Sequence, residues 1–295
     1  MCEFCTEHGE GKKWYLQMKN YAEELLHEQL THTQKEIIDA NTRLEWNNRF
    51  WQGFVIPAMG NISVNPEDLS QNPPLTSPPG ENPTETQIVE HRKVQHFGQV
   101  IPIEDAEKVI DMADSITRMP CGCRYLSTGK TDRRYCFGLG VDKWGILGKF
   151  PDDSASLEVL DKEEAKKMLR EYDKEGLIHS VWTGVSPYIV SLCNCDRDCG
   201  AYKKYIEMRG APYFFRAEYI CQIDPDLCSG CKSCFRQCQF GALFYSHSLG
   251  KVYIDPFRCF GCGVCRAVCP KDAITLIPRQ DSPEAADLWL KDKVK

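Results

Sequence analysis

Eight cysteines near the C-terminus fall into two copies of one spacing, C-x2-C-x2-C-x3-C. The first is Cys228, Cys231, Cys234 and Cys238; the second is Cys259, Cys262, Cys265 and Cys269, followed at once by Pro270. The start of the chain, Met1-Cys2-Glu3-Phe4-Cys5, has no basic-then-apolar signal segment. Cysteines at this density in a reducing compartment call for metal ligation rather than a disulfide framework. Three cysteines two residues apart can wrap a tight loop around one face of a metal cluster, with backbone N–H groups aimed at it. The fourth lies beyond the reach of its own loop.

This pair of runs resembles the bacterial-type ferredoxin domain, which holds two [4Fe–4S] clusters. In that family the fourth cysteine of each run ligates the other cluster. The resemblance therefore implies Cys228, Cys231, Cys234 and Cys269 at cluster I, and Cys259, Cys262, Cys265 and Cys238 at cluster II. The rival reading, two zinc sites or a disulfide knot, explains the doubled run and its terminal Cys-Pro less well. One departure stands out: Gln239 follows the last cysteine of the first run, where the family usually carries proline.

The repeat extends beyond the cysteines at a constant offset of 31 residues. Ile223-Asp224-Pro225 parallels Ile254-Asp255-Pro256, Gly230 answers Gly261, and Phe240-Gly241-Ala242-Leu243 parallels Lys271-Asp272-Ala273-Ile274. This is the signature of a duplicated β-α-β unit. Leu243–Tyr245 and Lys251–Ile254 read as strands around a turn at residues 247–250. Residues 219–280 hold seven basic side chains (Lys232, Arg236, Lys251, Arg258, Arg266, Lys271, Arg279) against four aspartates (Asp224, Asp226, Asp255, Asp272). That balance partly offsets cluster charge, raises reduction potentials and suits a docked role over a freely diffusing one.

A second set of cysteines lies upstream: Cys121, Cys123, Cys136, Cys193, Cys195 and Cys199. Cys193, Cys195 and Cys199 with Cys121 or Cys123 would make four thiolate ligands, for a third [4Fe–4S] cluster or for zinc; Cys136 stands as an outsider. At the N-terminus Cys2, Cys5 and His8 form C-x2-C-x2-H, three ligand types suited to zinc or iron without a local fourth. Cys221 reads as a packed residue. The stretches Cys121–Arg124, Cys136, Glu163–His179 and Cys193–Cys199, followed by the two repeats, resemble a group of anaerobe proteins known only as 4Fe–4S binding proteins or ferredoxins. The resemblance covers about residues 95–280 and departs at Asp196 and Asp198, where members often carry cysteine. It implies electron transfer and names no substrate.

The elements that position these residues are expected to be α+β overall. Residues 1–56 read as a helical segment, with apolar positions at Trp14, Met18, Tyr21 and Leu25 in helical rhythm. Residues 57–87, with seven prolines, read as a linker. Residues 88–218 form a Cys-rich α+β domain, 219–280 the ferredoxin domain and 281–295 a tail. Within the middle domain, helical spacing predicts a helix over Glu104–Met119. A capping box at Asp161 and Glu164 starts a second helix, which Gly176 stops. Val181-Trp182 and Tyr188–Val190 then form a hairpin. Helix, turn and hairpin together look like a winged-helix unit.

Composition narrows the function. Apolar residues are 42% of the chain and charged residues 26%, with a net charge of −6. The acidic balance and the lack of a basic recognition helix argue against nucleic-acid binding. No apolar run reaches the roughly 18–20 residues of a membrane span. There is no dinucleotide fingerprint, Walker loop or radical C-x3-C-x2-C motif. The expectation is a cytoplasmic, anaerobic iron–sulfur protein. It would relay single electrons through two clusters, or three, as a subunit or dedicated partner of an oxidoreductase rather than as an enzyme itself. The alternative is an enzyme or regulator that uses the Cys121/Cys193 region as a reactive or sensing site.

Overall fold

A computed structural model describes residues 5, 9, 10, 12–21, 98–121, 124, 128, 132–140, 157–183, 189–199 and 214–289. The proline-rich stretch 57–87, Cys2, His8, Cys123 and most of the N-terminal segment lie outside them.

Among the described residues the middle of the chain is built on one seven-stranded sheet. Its strands are β1 (Gly98–Val100), β2 (Ile116–Met119), β3 (Cys136–Leu139), β4 (Glu158–Leu160), β5 (Ile178–Thr183), β6 (Ile189–Cys195) and β7 (Phe214–Phe215). They lie in the order β4-β2-β3-β6-β5-β1-β7. All neighbours are antiparallel except β1 and β7. Strand β5, next to the central β6, is buried at every residue, which suits its β-branched and aromatic content.

Two helices pack together beside the sheet, α1 (Ile103–Met112) and α2 (Lys162–Glu175). Their buried faces, Ala106, Val109 and Ile110 on α1 and Ala165, Leu169 and Tyr172 on α2, join Ile116, Phe137, Val181 and Leu192 in the main core. The capping box forms as expected: the Asp161 carboxylate accepts the Glu164 N–H at 2.8 Å. Gly176 closes the helix in the left-handed region, φ 88°. Asp161→Ala should cost about 1 kcal/mol and lower Tm by a few degrees, read by thermal unfolding of the full chain.

Two expectations need correction. The helix expected over Glu104–Met119 ends at Met112; Ala113 is extended, and Ile116–Met119 is strand β2, paired to β3 on one side and β4 on the other. The Ser115 carbonyl accepts the Gly140 N–H at 2.9 Å rather than a helix bond, and Ile116-Thr117 is β-branched. Ile116 keeps its core-facing role either way, so periodicity alone did not reveal the break. The winged-helix reading also gives way, because the expected hairpin is the β5–β6 pair at the centre of a much wider sheet.

The chain start is part of this core rather than a separate helix. Trp14–Leu16 and Met18–Asn20 are single 3-10 turns. Trp14 and Tyr15 are fully buried, whereas Met18 is 60% exposed. Trp14 Nε1 donates to Gln99, and Tyr15 Oη donates to Asp105 at 3.0 Å. Burial, with Asp105 alongside, pushes the Tyr15 hydroxyl well above its ordinary pKa.

The C-terminal unit consists of two hairpin-like sheets. β8 (Tyr219–Ile223) pairs with β11 (Ile274–Pro278), and β9 (Leu243–Ser246) pairs with β10 (Lys251–Ile254), both antiparallel. The first strand of the unit therefore pairs with the last, as a duplicated unit closing on itself requires. The short helices are 3-10 turns at Ser233–Arg236 and Arg266–Val268. They precede the fourth cysteine of each run, where the spacing had suggested a helix starting at that cysteine.

Candidate metal centres

The two cysteine runs fold around two clefts. Cys228, Cys231, Cys234 and Cys269 line the first, of about 320 Å³. Cys238, Cys259, Cys262 and Cys265 line the second, of about 310 Å³. Each cleft thus takes three cysteines from one run and the fourth from the other. Four thiols from two distant runs thus converge on each cleft.

Glycine makes the loops possible. Gly230 has φ 68°, and a Cβ there would lie 2.0 Å from the Gly250 carbonyl oxygen. Gly261, its counterpart, has φ 72°, and a Cβ would lie 1.9 Å from the Tyr219 carbonyl oxygen. Both loops therefore run where no side chain fits. The swapped cysteines receive backbone donors: Ala242 N–H points to Cys238 Sγ at 3.2 Å and Ala273 N–H to Cys269 Sγ at 3.3 Å. These donors, the four-thiol rings and the close-running glycine loops fit a cubane-sized iron–sulfur cluster in each cleft.

The two clefts differ in their surroundings. Cys231 is exposed, and Lys232 and Lys271 stand at the first cleft. Ser233 beside Cys231 holds its thiol below the usual value, whereas burial pushes Cys234 up to about 11. The second cleft is buried: Cys259, Cys262 and Cys265 are all inside, and Phe240 stacks on Phe260 with ring centroids 4.0 Å apart. Burial pushes the Cys262 thiol up, and the neighbouring Cys221 thiol, together with burial, does the same to Cys259. Cys221 is more than a packed residue. It lines the second cleft as a fifth cysteine, its Sγ 3.8 Å from Cys265 Sγ. Its place on β8, beside the returning β11, carries no spacing signal.

Arg279 fastens the second loop. It is fully buried and donates to the carbonyls of Ala217 at 2.7 Å, Tyr219 at 2.8 Å and Cys259 at 3.3 Å. Burial lowers its pKa to about 10. The basic excess of this region is thus partly structural. Arg279 is an internal clamp, Lys251 donates to the Cys228 carbonyl, and Arg266 forms a bidentate pair with Glu104 of α1 at 2.7 and 2.8 Å.

The upstream cysteines also meet. Cys136 on β3 sits within an antiparallel register that pairs Phe137 with Leu192, so it faces Cys193 on β6. Cys121 Sγ lies 3.6 Å from Cys136 Sγ and accepts the Tyr135 N–H at 2.9 Å. Cys195 lies two residues beyond Cys193, and its Sγ is 3.6 Å from that of Cys199. Cys136 was expected to stand apart, yet it is the central member; strand pairing across some sixty residues put it there. The Asp196 departure has a partner in space: its carboxylate takes the Arg124 guanidinium at 2.8 Å. Arg124 is 2% exposed and also faces the Tyr135 ring at 4.7 Å.

Of the N-terminal set, only Cys5 lies among the described residues. Cys5 is fully buried and donates to the Glu218 carboxylate at 3.0 Å, so its sulfur is engaged in the core; Cys2 and His8 lie outside the described residues. His179 is a buried scaffold residue, with Nδ1 2.6 Å from Asn194 Oδ1. Among the described residues no three His, Cys, Asp or Glu side chains surround the position of a single metal ion, and no helix is long and apolar enough to cross a membrane.

Comparison with known proteins places this geometry. Residues 227–274 match the 4Fe-4S dicluster domain family, which implies [4Fe–4S] clusters in this part of the chain. A segment of 59 residues is 39% identical to archaeal-type glutamate synthase [NADPH] from Thermotoga sp. (strain RQ2) and, equally, to that of Thermotoga maritima. That segment is 20% of this chain and 12% of each relative, so the chain spans a small part of the relatives it matches.

Proposed function

We propose that this chain is a one-electron relay, with one [4Fe–4S] cluster held by Cys228, Cys231, Cys234 and Cys269 and a second by Cys259, Cys262, Cys265 and Cys238. The observation that carries this reading is the exchange of the fourth cysteine between two four-thiol clefts, inside a segment that matches a dicluster domain. Bound there, the clusters supply reversible single-electron redox chemistry.

The protein's own residues set the terms of that chemistry. The exposed Cys231 and the adjacent Lys232 and Lys271 offer an electropositive contact for a donor or acceptor. The aromatic and aliphatic wall of the second cleft excludes water and holds its cysteines inside. Backbone N–H donors to Cys238 and Cys269 stabilise electron-rich sulfur. No residue is assigned to bond chemistry. The partner is a larger oxidoreductase, a reading supported by the likeness to a segment of proteins named as NADPH-dependent synthases. The setting is an anaerobic cytoplasm, a reading supported by the paired four-cysteine runs, which suit metal ligation in a reducing compartment.

Anaerobically purified protein should be brown, bleach on reduction and show the electron paramagnetic resonance of two interacting spins. A colourless protein, or one whose reduced spectrum is that of a single isolated spin, removes the relay.

A further inference from the structure

We propose that the upstream thiols Cys121, Cys136, Cys193, Cys195 and Cys199 supply the ligands of a third iron–sulfur cluster, coupled to the second cleft through Gln239. Five cysteines from β3, β6 and the two loops beside them converge, and their paired sulfurs at 3.6 Å are far outside disulfide length. Thiols packed as small apolar residues explain one or two such contacts. They do not explain a buried guanidinium in the same place. Arg124 is 2% exposed beside Cys121 and Cys199, although Asp196, its ion-pair partner, is partly open to solvent. A buried cation of this kind is stabilised by further negative charge, which a metal–thiolate group provides.

The second cleft indicates which metal chemistry fits. Cys195 and Cys199 share one apolar cluster with Phe260, Cys262 and Val264 of that cleft; Cys193 and Phe240 pack against it. Gln239 follows the swapped Cys238 directly in sequence. Its buried side-chain amide donates to the carbonyl of Cys195 at 3.4 Å and to that of Gly176. A proline there has no side-chain donor to make this bridge. One residue thus links a cysteine of the second cleft to a cysteine of the upstream group by a peptide bond and one hydrogen bond. A zinc site would have no use for such a link, since zinc does not change oxidation state; a redox cluster would. One electron leaves the reduced second-cleft cluster and arrives on the third. The second-cleft cluster would be oxidised by one electron and the third cluster reduced by one, and no atom or proton would move. The metal content proposed here stands apart from the relay, and only the electron's source rests on it.

The test is the iron, acid-labile sulfide and zinc content of the full chain produced and purified anaerobically. The third cluster predicts about twelve irons per chain, four for each cubane, and about eight in a Cys136→Ala/Cys193→Ala variant that keeps the spectrum of the other two. About eight irons in the unaltered chain, with or without zinc, overturns the third cluster and leaves the relay standing. A count well below eight sinks the relay and the third cluster together. Because the first measurement is made on the unaltered chain, a variant that fails to fold does not decide the matter. In folded, fully loaded protein, Gln239→Leu should retain about twelve irons while weakening the magnetic coupling between the second and third centres; unchanged coupling removes the bridge from the proposal.

Discussion

Cys238→Ala is expected to empty the second cleft and spare the first, although Cys238 belongs by sequence to the first run. Cys238 lines the cleft of Cys259, Cys262 and Cys265, with Ala242 N–H aimed at its sulfur. Removing it leaves three of the four proposed ligand thiols, with Cys221 the other cysteine that lines the cleft. Iron should fall by about four per chain, or by about one if a three-iron remnant persists. Cys269→Ala is the mirror experiment and should act on the first cleft, beside exposed Cys231. The two variants should therefore differ in which spin disappears on reduction. The reverse outcome, with Cys238→Ala abolishing the first-cleft spin and Cys269→Ala the second-cleft spin, would show that each run serves its own cleft and would end the exchange model.

Arg279→Ala carries the largest expected stability loss. The guanidinium is fully buried and satisfies carbonyls of Ala217, Tyr219 and Cys259 at once. Its loss strands several buried acceptors and opens space against Trp289, which lies 5.9 Å from the guanidinium carbon. Charge-assisted hydrogen bonds are worth about 1.5–3 kcal/mol each, and stranded acceptors add to that. A total on the order of 3–5 kcal/mol is the size seen when one partner of a buried charged contact is removed. Chemical denaturation of anaerobic holoprotein should show it as a lower midpoint. Arg279→Lys should recover only part, because a compact ammonium cannot span three carbonyls as a planar fork does. A shift below about 1 kcal/mol would mean that the clamp is not what holds the loop.

How much of this was legible in the sequence depended on whether the cause was local. The doubled cysteine run, the 31-residue repeat and the strands at 243–246 and 251–254 are written in neighbouring residues and were readable. So was the second helix, whose start at Asp161 and stop at Gly176 are each decided within four residues. The end of the first helix was not, because Ile116 satisfies the core as either helix or strand and only pairing with β3 and β4 decides it. Cys136 was read as an outsider and Cys221 as a packed residue for a related reason. Each gains its meaning from a partner far along the chain, Cys136 from Cys193 across the β3–β6 pair and Cys221 from Cys265 at 3.8 Å, and no spacing rule encodes such meetings. Gln239 was visible as a departure, but its purpose was not, because its amide acts on a carbonyl 44 residues upstream. Cys5, one of the three N-terminal candidates, donates to Glu218 on a segment more than two hundred residues away, a contact that its spacing does not encode.

The pairing of β8 with β11, together with the crossed fourth cysteines, bears on how the protein is made. Cys269 closes the first cleft and Ile274–Pro278 closes the first sheet. A nascent chain emerging from the ribosome therefore offers a complete thiol ring to neither cleft until the second run is out. Pairing at this separation is slow compared with local turns. Loading of a cluster in either cleft would have to wait until both cysteine runs have been translated, which favours delivery by a scaffold that recognises the completed module over piecemeal capture during synthesis.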